Sequence, residues 1–306
     1  MRMPSIPDDF VRATIRRSGT SGSAWLARLP AILDACAEQW GLTLGPPATP
    51  LSHNYVVAVR RTDDTASILK IHVPNDGFAS EVAALRLFNG RGIARLLASD
   101  PYDEALLVER CAPGTPLTAI TMTDDERATA IAASVMRQVW RPLPPDHSFA
   151  TMADWNADLC TLRSHYGGGT GPFPRAIIEE VESLVPALTA SAHAPILLHG
   201  DLHYDNILAA QRQPWLAIDP KGVAGEPAYE TGALLYNPQP HLLAAPHPGR
   251  ILARRVDQLA EELTLDRRRV RGWGIVRAVL SAWWSVQSVG QVWEEALACA
   301  RLLAAL

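Results

Sequence analysis

Between residues 195 and 220 the chain places two short apolar runs around a polar loop, and this arrangement restricts the folds open to it. Pro195-Ile-Leu-Leu198 leads into His199-Gly-Asp-Leu-His-Tyr-Asp-Asn206, and Pro214-Trp-Leu-Ala-Ile218 leads into Asp219 and Pro220. Both runs are too short for helices and are bounded by breakers, so each reads as a buried strand. The polar residues Asp201, Asn206 and Asp219 then fall at strand ends, where a rigid scaffold can hold them.

An aspartate that orients an attacking hydroxyl must sit beside metal ligands without being consumed by the metal. Base and amide ligand therefore belong on one short loop, and Asp201 and Asn206 fit it. Mg²⁺ demands near-octahedral oxygen geometry and keeps waters and nucleotide phosphates among its ligands, so a second protein ligand comes from another strand end. Asp219 stands there. Taken singly, Asp and Asn are common turn formers, and His199 reads equally as a satisfied histidine at a strand end. Order, spacing and strand context together point to phosphoryl transfer onto a hydroxyl.

The block Leu198-His-Gly-Asp-Leu-His-Tyr-Asp-Asn-Ile-Leu208, with Pro214 to Gly222 and Gly225-Glu-Pro-Ala-Tyr-Glu230, resembles the aminoglycoside phosphotransferase superfamily. Within it, the Asp219-Pro-Lys-Gly222 step and the Gly-Glu-Pro-Ala-Tyr continuation resemble the streptomycin 6-phosphotransferase and hydroxyurea kinase branch. The resemblance implies an α+β, bilobal protein-kinase-like fold. A small antiparallel-sheet N-lobe with a leading helix would span residues 1–112 and a mostly helical C-lobe residues 113–306. It also implies ATP and Mg²⁺ as cofactors and a streptomycin-like, cationic small molecule as hydroxyl acceptor, in antibiotic resistance.

Carried onto this sequence, the resemblance makes Asp201 the catalytic base and Asn206 and Asp219 the Mg²⁺ ligands. Ala66 to Val73 alternates as a half-buried strand does, with Lys70 inside it, and Glu81 opens a helical pattern with Val82, Leu85 and Phe88 on one face. A kinase needs a cation on the α- and β-phosphates and an acid to hold it, and the resemblance assigns these to Lys70 and Glu81. Read alone, they are an edge-strand lysine and a solvated helix acid. Pro50 to Val59 reads as strand, turn, strand, where kinases lay a loop over the phosphates. Ser52 and nearby backbone amides fit that use, and a plain hairpin turn fits equally. Leu106 to Gly114 starts as a strand and ends in a Pro-Gly breaker, as a linker would. The family's adenine contact falls on its backbone within Glu109 to Ala112, including Cys111.

Three positions depart from the branch pattern. Glu230 stands where an Asp bracing the catalytic loop is usual. Tyr204-Asp205 replaces His-Gly, and Asp205 reads either as a group behind the metal ligands or as a turn cap. Lys221 is placed either to neutralise charge on the transferring phosphoryl group or to sit on the surface.

At 306 residues and 48% hydrophobic content the chain can bury more core than one ordinary domain. A net charge of −4, from 28 basic and 32 acidic residues, leaves no electrostatic footprint for nucleic acid or an anionic membrane and suits a cationic substrate. Cys36, Cys111, Cys160 and Cys299 form no paired spacing, so neither a disulfide framework nor a zinc site is indicated. The beginning of the sequence lacks the apolar core of a signal peptide, and the richest apolar stretch, Trp273 to Trp293, is interrupted by Arg277, Gln287 and Gln291. It reads as a buried helix, and a reducing cytoplasm is the expected compartment.

Helical periodicity covers Ala24 to Trp40, Arg175 to Ala190 and most of Arg250 to Leu306, and Thr123-Asp-Asp-Glu126 reads as a capping box opening a helix toward Trp140. Trp155, Trp273, Trp283, Trp284 and Trp293 with Asp154, Asp158, Glu294 and Glu295 would make an aromatic, acidic acceptor pocket. The competing and favoured reading is a Trp-rich helical core with solvated acids. Two other classes compete with the kinase reading. Gly200-Asp-Leu-His203 also matches a dinuclear metallophosphoesterase fragment, but the Asn-His pair that class needs downstream is absent after Asp219. A non-catalytic, kinase-like nucleotide-binding protein is the other.

Overall fold

The structure, a computed structural model, describes residues 5–51, 53–74 and 77–306. The chain divides into two compact units: one runs to Gly90 and resumes over Ala94–Ala112, and the other comprises Arg91–Ile93 and Pro113–Leu306.

In the first unit a long helix α1 (Asp8–Trp40) precedes strands β1 (Leu42–Pro47), β2 (Tyr55–Arg61) and β3 (Ala66–Ile71), helix α2 (Gly77–Phe88), and strands β4 (Leu96–Asp100) and β5 (Ala105–Glu109). The helix starts well before the Ala24 expected from its apolar spacing and breaks at Gly19 (φ 54°). The added turns carry Phe10, whose ring meets Trp25 and Tyr55 edge-on at 6.1 and 6.0 Å, so burial rather than periodicity holds them. Gly41 (φ 60°) ends the helix in the left-handed region and returns its N–H to Ala37 and Glu38, a geometry that glycine adopts at no steric cost. The antiparallel sheet runs β1-β2-β3-β5-β4, so β3 is central rather than an edge strand. Lys70 lies opposite Val56 on one side and Leu106 on the other. One core joins Trp25, Leu29, Leu33 and Cys36 of α1 to Val57, Leu69, Ile71 and Leu107 of the sheet.

The second unit is mostly helical. It begins with α3 (Thr118–Thr121), α4 (Asp125–Val139), β6 (Arg141–Pro142), β7 (Ala150–Thr151), α5 (Met152–Ala157), α6 (Leu159–His165) and α7 (Arg175–Ala190). Then come β8 (Ile196–Leu198), a 3₁₀ turn over Tyr204–Asn206, β9 (Ile207–Ala209), β10 (Trp215–Ala217) and β11 (Val223–Gly225). Helices α8 (Pro227–Glu230), α9 (Gly232–Leu235), α10 (His241–Ala244), α11 (Pro248–Leu263), α12 (Arg267–Val289) and α13 (Glu294–Ala304) complete it. Strands β6-β8-β11-β7 form a small sheet, and β9 and β10 pair as an antiparallel hairpin. Helix α12 is buried along most of its length and packs on α7, α9 and α13. Among the described residues no helix is long and apolar enough to cross a membrane.

Helix α4 corrects the expected capping box by one residue. Asp124, not Thr123, caps it, accepting from the Arg127 N–H at 3.0 Å. Asp125 faces inward, and its carboxylate takes the Arg255 guanidinium at 3.0 and 2.5 Å and Arg254 as well. Arg255 also donates to the carbonyls of Leu234 and Asn237, at 2.8 and 2.6 Å, and its side chain is 1% exposed. The capping box that does form lies elsewhere: Thr151 Oγ1 accepts from Asp154 N–H, and Asp154 Oδ2 accepts from Thr151 N–H.

Asp125→Ala strands a buried guanidinium and is expected to cost about 3 kcal/mol of stability. Urea unfolding of the variant measures it, and a loss below about 1 kcal/mol contradicts this account.

Candidate active site

In the second unit the loop after β8 is tied to the strand that delivers Asp219. The β9–β10 ladder pairs Ile207 with Ala217 and continues one step further, with Ile218 N–H donating to the Asn206 carbonyl at 2.9 Å. Asn206 Nδ2 donates to the Asp201 carbonyl at 2.9 Å, which commits the nitrogen inward and leaves Oδ1 as the atom that can ligate a cation. Asp219 has φ 63°, a conformation Asp tolerates better than most residues, and its carboxylate is partly exposed with Lys221 Nζ 2.7 Å from Oδ2. An amide oxygen and a carboxylate suit Mg²⁺, which takes one or two protein oxygens and fills its shell with water and phosphate. Among the described residues no group of three or more His, Cys, Asp or Glu forms a metal cage.

His199 sits at the junction. Its ring is fully buried, and desolvation pushes its pKa down to about 4, opposed by the Ile218 carbonyl and by Asp201 and Asp219. The imidazole is therefore neutral near pH 7, with Nε2–H donating to the Ile218 carbonyl at 2.8 Å and Nδ1 accepting from Asp201 N–H at 3.2 Å. The His199 carbonyl accepts from Lys221 N–H and Gly222 N–H, at 2.8 and 3.1 Å. Glu230, buried in α8, accepts from the N–H groups of His199 and Gly200 at 2.6 and 2.9 Å. With glutamate at this position both carboxylate oxygens reach the loop.

Gly200 has φ 89°, and a Cβ there would fall 2.8 Å from Val223 Cγ2 and 3.1 Å from the Trp155 ring. Its carbonyl accepts from the Arg277 guanidinium at 2.8 Å. Arg277, read from sequence only as an interruption of an apolar run, is 2% exposed. Its one sequence signal is a permanent charge on a helix otherwise buried, which requires partners. Between Asp201 and Asp205, His203 Nδ1 accepts from Asp205 N–H at 3.3 Å while Nε2 lies 4.0 Å from Asp201 Oδ2. Asp205 Oδ1 accepts from Thr118 Oγ1 at 2.5 Å, and Tyr204 is buried with its hydroxyl 3.2 Å from Thr129 Oγ1.

In the first unit Lys70 Nζ donates to both oxygens of Glu81, at 2.8 and 2.6 Å, and the two residues are 7% and 4% exposed. His72 Nε2 lies 2.9 Å from Glu81 Oε2. Glu109 ends β5, its carboxylate accepting from Arg95 N–H at 3.0 Å, and Cys111 is buried two residues on. Ser52 lies outside the described residues.

The five tryptophans do not converge. Trp155 and Trp284 meet edge-to-face at 5.2 Å, and Trp284 Nε1 donates to Asp158 Oδ2 at 2.7 Å. Trp273 is buried and donates to Glu226, Trp283 is buried and donates to the Asp158 carbonyl, and Trp293 packs on Tyr236. Asp154 is held in its capping box, and Glu294 and Glu295 lie in the first turn of α13. Trp273 and Trp283 belong to the core, whereas Trp155, Trp284 and Trp293 are half-buried and Asp154 and Glu294 are exposed.

The fold is that of small-molecule kinases: a choline/ethanolamine kinase family protein from Mesorhizobium loti superposes with a TM-score of 0.65 at 15% identity, covering 90% of this chain and 94% of that one. A streptomycin 6-kinase of Streptomyces glaucescens is 32% identical over 94% of this chain and 92% of its own. A hydroxyurea phosphotransferase of Kitasatospora aureofaciens is 32% identical over 92% and 80%. The model of the aminoglycoside/hydroxyurea antibiotic resistance kinases matches residues 44–290, and the chain belongs to that family.

Gly200→Ala forces a Cβ into Val223 and a left-handed φ onto alanine, so the loop must shift; turnover is expected to fall about 10²-fold, because small displacements of reacting groups have that effect. Wild-type rates would refute the tight packing of this loop. A second expectation concerns pH. Burial raises the Glu230 pKa from 4.5 to about 7, against its two N–H bonds and Arg277. The folded state thus keeps a proton that the unfolded state has released, and this group's contribution to stability is lost as pH rises through that window. Urea titrations from about pH 5 to about pH 8 should show the stability lead of wild type over Glu230→Gln narrowing; a constant lead contradicts it.

Proposed function

We propose that this chain catalyses ATP- and Mg²⁺-dependent transfer of the γ-phosphoryl group to a hydroxyl of a streptomycin-like aminoglycoside, as an antibiotic resistance kinase of the cytoplasm. The observation that carries the reading is the bonded path from Asp201 through Asn206 to the strand end that bears Asp219. This path supports a reading in which one carboxylate serves the acceptor while an amide oxygen and a second carboxylate serve a cation. The identity with streptomycin 6-kinase over almost the whole chain and the acidic net charge support a cationic acceptor.

In this mechanism Asp201 orients the acceptor hydroxyl and takes its proton as the new oxygen–phosphorus bond forms and the bond to the β-phosphate oxygen breaks. Lys70, held by Glu81, takes the α- and β-phosphates, and backbone groups within Glu109 to Ala112 take the adenine edge. Residues 1–112 thus serve the nucleotide and residues 113–306 the chemistry. Mg²⁺ held by Asn206 and Asp219 would supply neutralisation of phosphate charge. His199, Glu230 and Lys221 keep the loop and the metal ligands in place, Asp205 holds α3 through Thr118, and little covalent work falls to the protein.

Asp201→Asn is expected to keep nucleotide affinity within about twofold and to lose about 10²–10⁴-fold in kcat, read by isothermal titration with ATP and by a coupled assay of Mg-ATP consumption. The acceptor panel is streptomycin, other aminocyclitols, hydroxyurea and simple sugars. Turnover with streptomycin alone supports the reading. Retained phosphorylation by Asp201→Asn removes the base assignment, and silence on every acceptor favours a nucleotide-binding protein without turnover.

A further inference from the structure

The peptide unit that joins Gly200 to Asp201 sets where the Asp201 carboxylate points, and glycine on one side of it offers little resistance to rotation. With no Cβ, Gly200 can hold its carbonyl in either of two opposed directions, and only one of them gives the observed loop. Two side chains fix the choice. His199 Nδ1 accepts the Asp201 N–H at 3.2 Å, and one Arg277 nitrogen donates to the Gly200 carbonyl at 2.8 Å. The imidazole contact is local, two residues apart in sequence. The guanidinium reaches across from α12, 77 residues away in sequence.

Arg277 is itself held rigidly. Its Cζ lies 4.9 Å from the Trp155 ring centre, 5.0 Å from Tyr229 and 5.6 Å from Trp284, and Tyr229 Oη is 3.4 Å from a guanidinium nitrogen. Three aromatic faces around one cation leave it few alternative rotamers. Burying a permanent charge costs several kcal/mol and a buried apolar side chain of the same volume would pack α12 more cheaply, so stability alone does not account for an arginine here.

We infer that Arg277 is a positioning residue for the reaction: clamped in an aromatic cage, it locks the Gly200–Asp201 peptide in the orientation that aims the Asp201 carboxylate at the acceptor hydroxyl. This inference rests on the reading of Asp201 as the base. The chain thereby reaches the base from behind through its backbone, and a group that never touches substrate sets the rate.

The test compares Arg277→Met and Arg277→Lys, each alone and combined with Asp201→Asn. Mg-ATP turnover with streptomycin, or with the acceptor the panel identifies, is read beside the amide resonances of Gly200 and Asp201 in uniformly ¹⁵N-labelled protein. Arg277→Met should lower kcat about 10²-fold while KM for both substrates and the ATP affinity stay within about twofold. Arg277→Lys, which keeps one charged donor, should recover at least about tenfold of that loss. In the Asp201→Asn background the Arg277 substitutions should slow residual turnover little, because an orientation no longer matters once the base is gone. Both amide resonances should shift in the Met variant. A folded Arg277→Met with wild-type kcat, or with unmoved amides, overturns the inference, and so does a loss of equal size in the two backgrounds, which marks a merely structural role. If Arg277→Met does not fold, Arg277→Lys is judged on the same criteria, with a kcat loss at unchanged KM as support and wild-type kcat as refutation. Loss of activity on Asp201→Asn with full activity of both Arg277 variants defeats this inference alone. Full activity of Asp201→Asn defeats the base assignment instead, and the amide shifts then still report whether Arg277 fixes the peptide.

Discussion

A neutral imidazole with both ring nitrogens engaged is the interaction on which the loop and strand ends of the second unit depend. Burial removes the charged form of His199, and the neutral form has one donor and one acceptor to place. The donor goes to the residue before Asp219 and the acceptor to the N–H of Asp201. The backbone of the same residue takes two N–H groups from Lys221 and Gly222 and gives its own to Glu230. One residue therefore joins the loop, the turn after β10 and helix α8; loss of its ring would remove the bonds to the Ile218 carbonyl and the Asp201 N–H and leave the backbone bonds in place. Low local dielectric strengthens such bonds when all are made and raises the cost when one is missing.

Around this junction the second unit buries several ionisable groups. Glu230 holds two N–H groups of the loop, Arg277 holds its carbonyl, and Arg255 with Asp125 ties α4 to α11 and to the carbonyls after α9. Glu226 gathers Arg269 and Trp273 at the start of α8. Buried ions seldom add net stability against apolar replacements, but a mispaired one is severely penalised. Such groups narrow the number of low-energy arrangements rather than deepen the well. The proposed phosphoryl transfer would require this of its site, since it works by placing groups rather than by forming bonds to the protein.

Local patterns in the sequence carried much of this. The short apolar runs before His199 and Asp219, the alternation around Lys70 and the helical spacing over residues 175–190 report periods that a single stretch of chain contains, and β8, β10, β3 and α7 follow them. The polar spacing of Asp201, Asn206 and Asp219 was equally readable, because a loop between two strands brings such residues together by local geometry. Other features depend on partners far along the chain. Thr123 and Asp124 are both competent caps, and with Asp124 in that role Asp125 meets Arg255, a partner 130 residues along the chain. Arg277 and Gly200 are unrelated until α12 packs, and the start of α1 is held by the burial of Phe10 against Tyr55 rather than by spacing. Five tryptophans with nearby acids left a pocket open beside the favoured reading of a packed core, because composition cannot say which rings face one another.

The left-handed backbone at Asp219 narrows what evolution can try there. At φ 63° the tolerated residues are chiefly Gly, Asn and Asp, and of these a single one carries a negative charge. A drift to glutamate, the mildest change by chemistry, carries a backbone cost in addition to its longer reach, although the chain bears that cost at Glu104 (φ 47°). The conformation thus favours aspartate among the residues that could supply a carboxylate here.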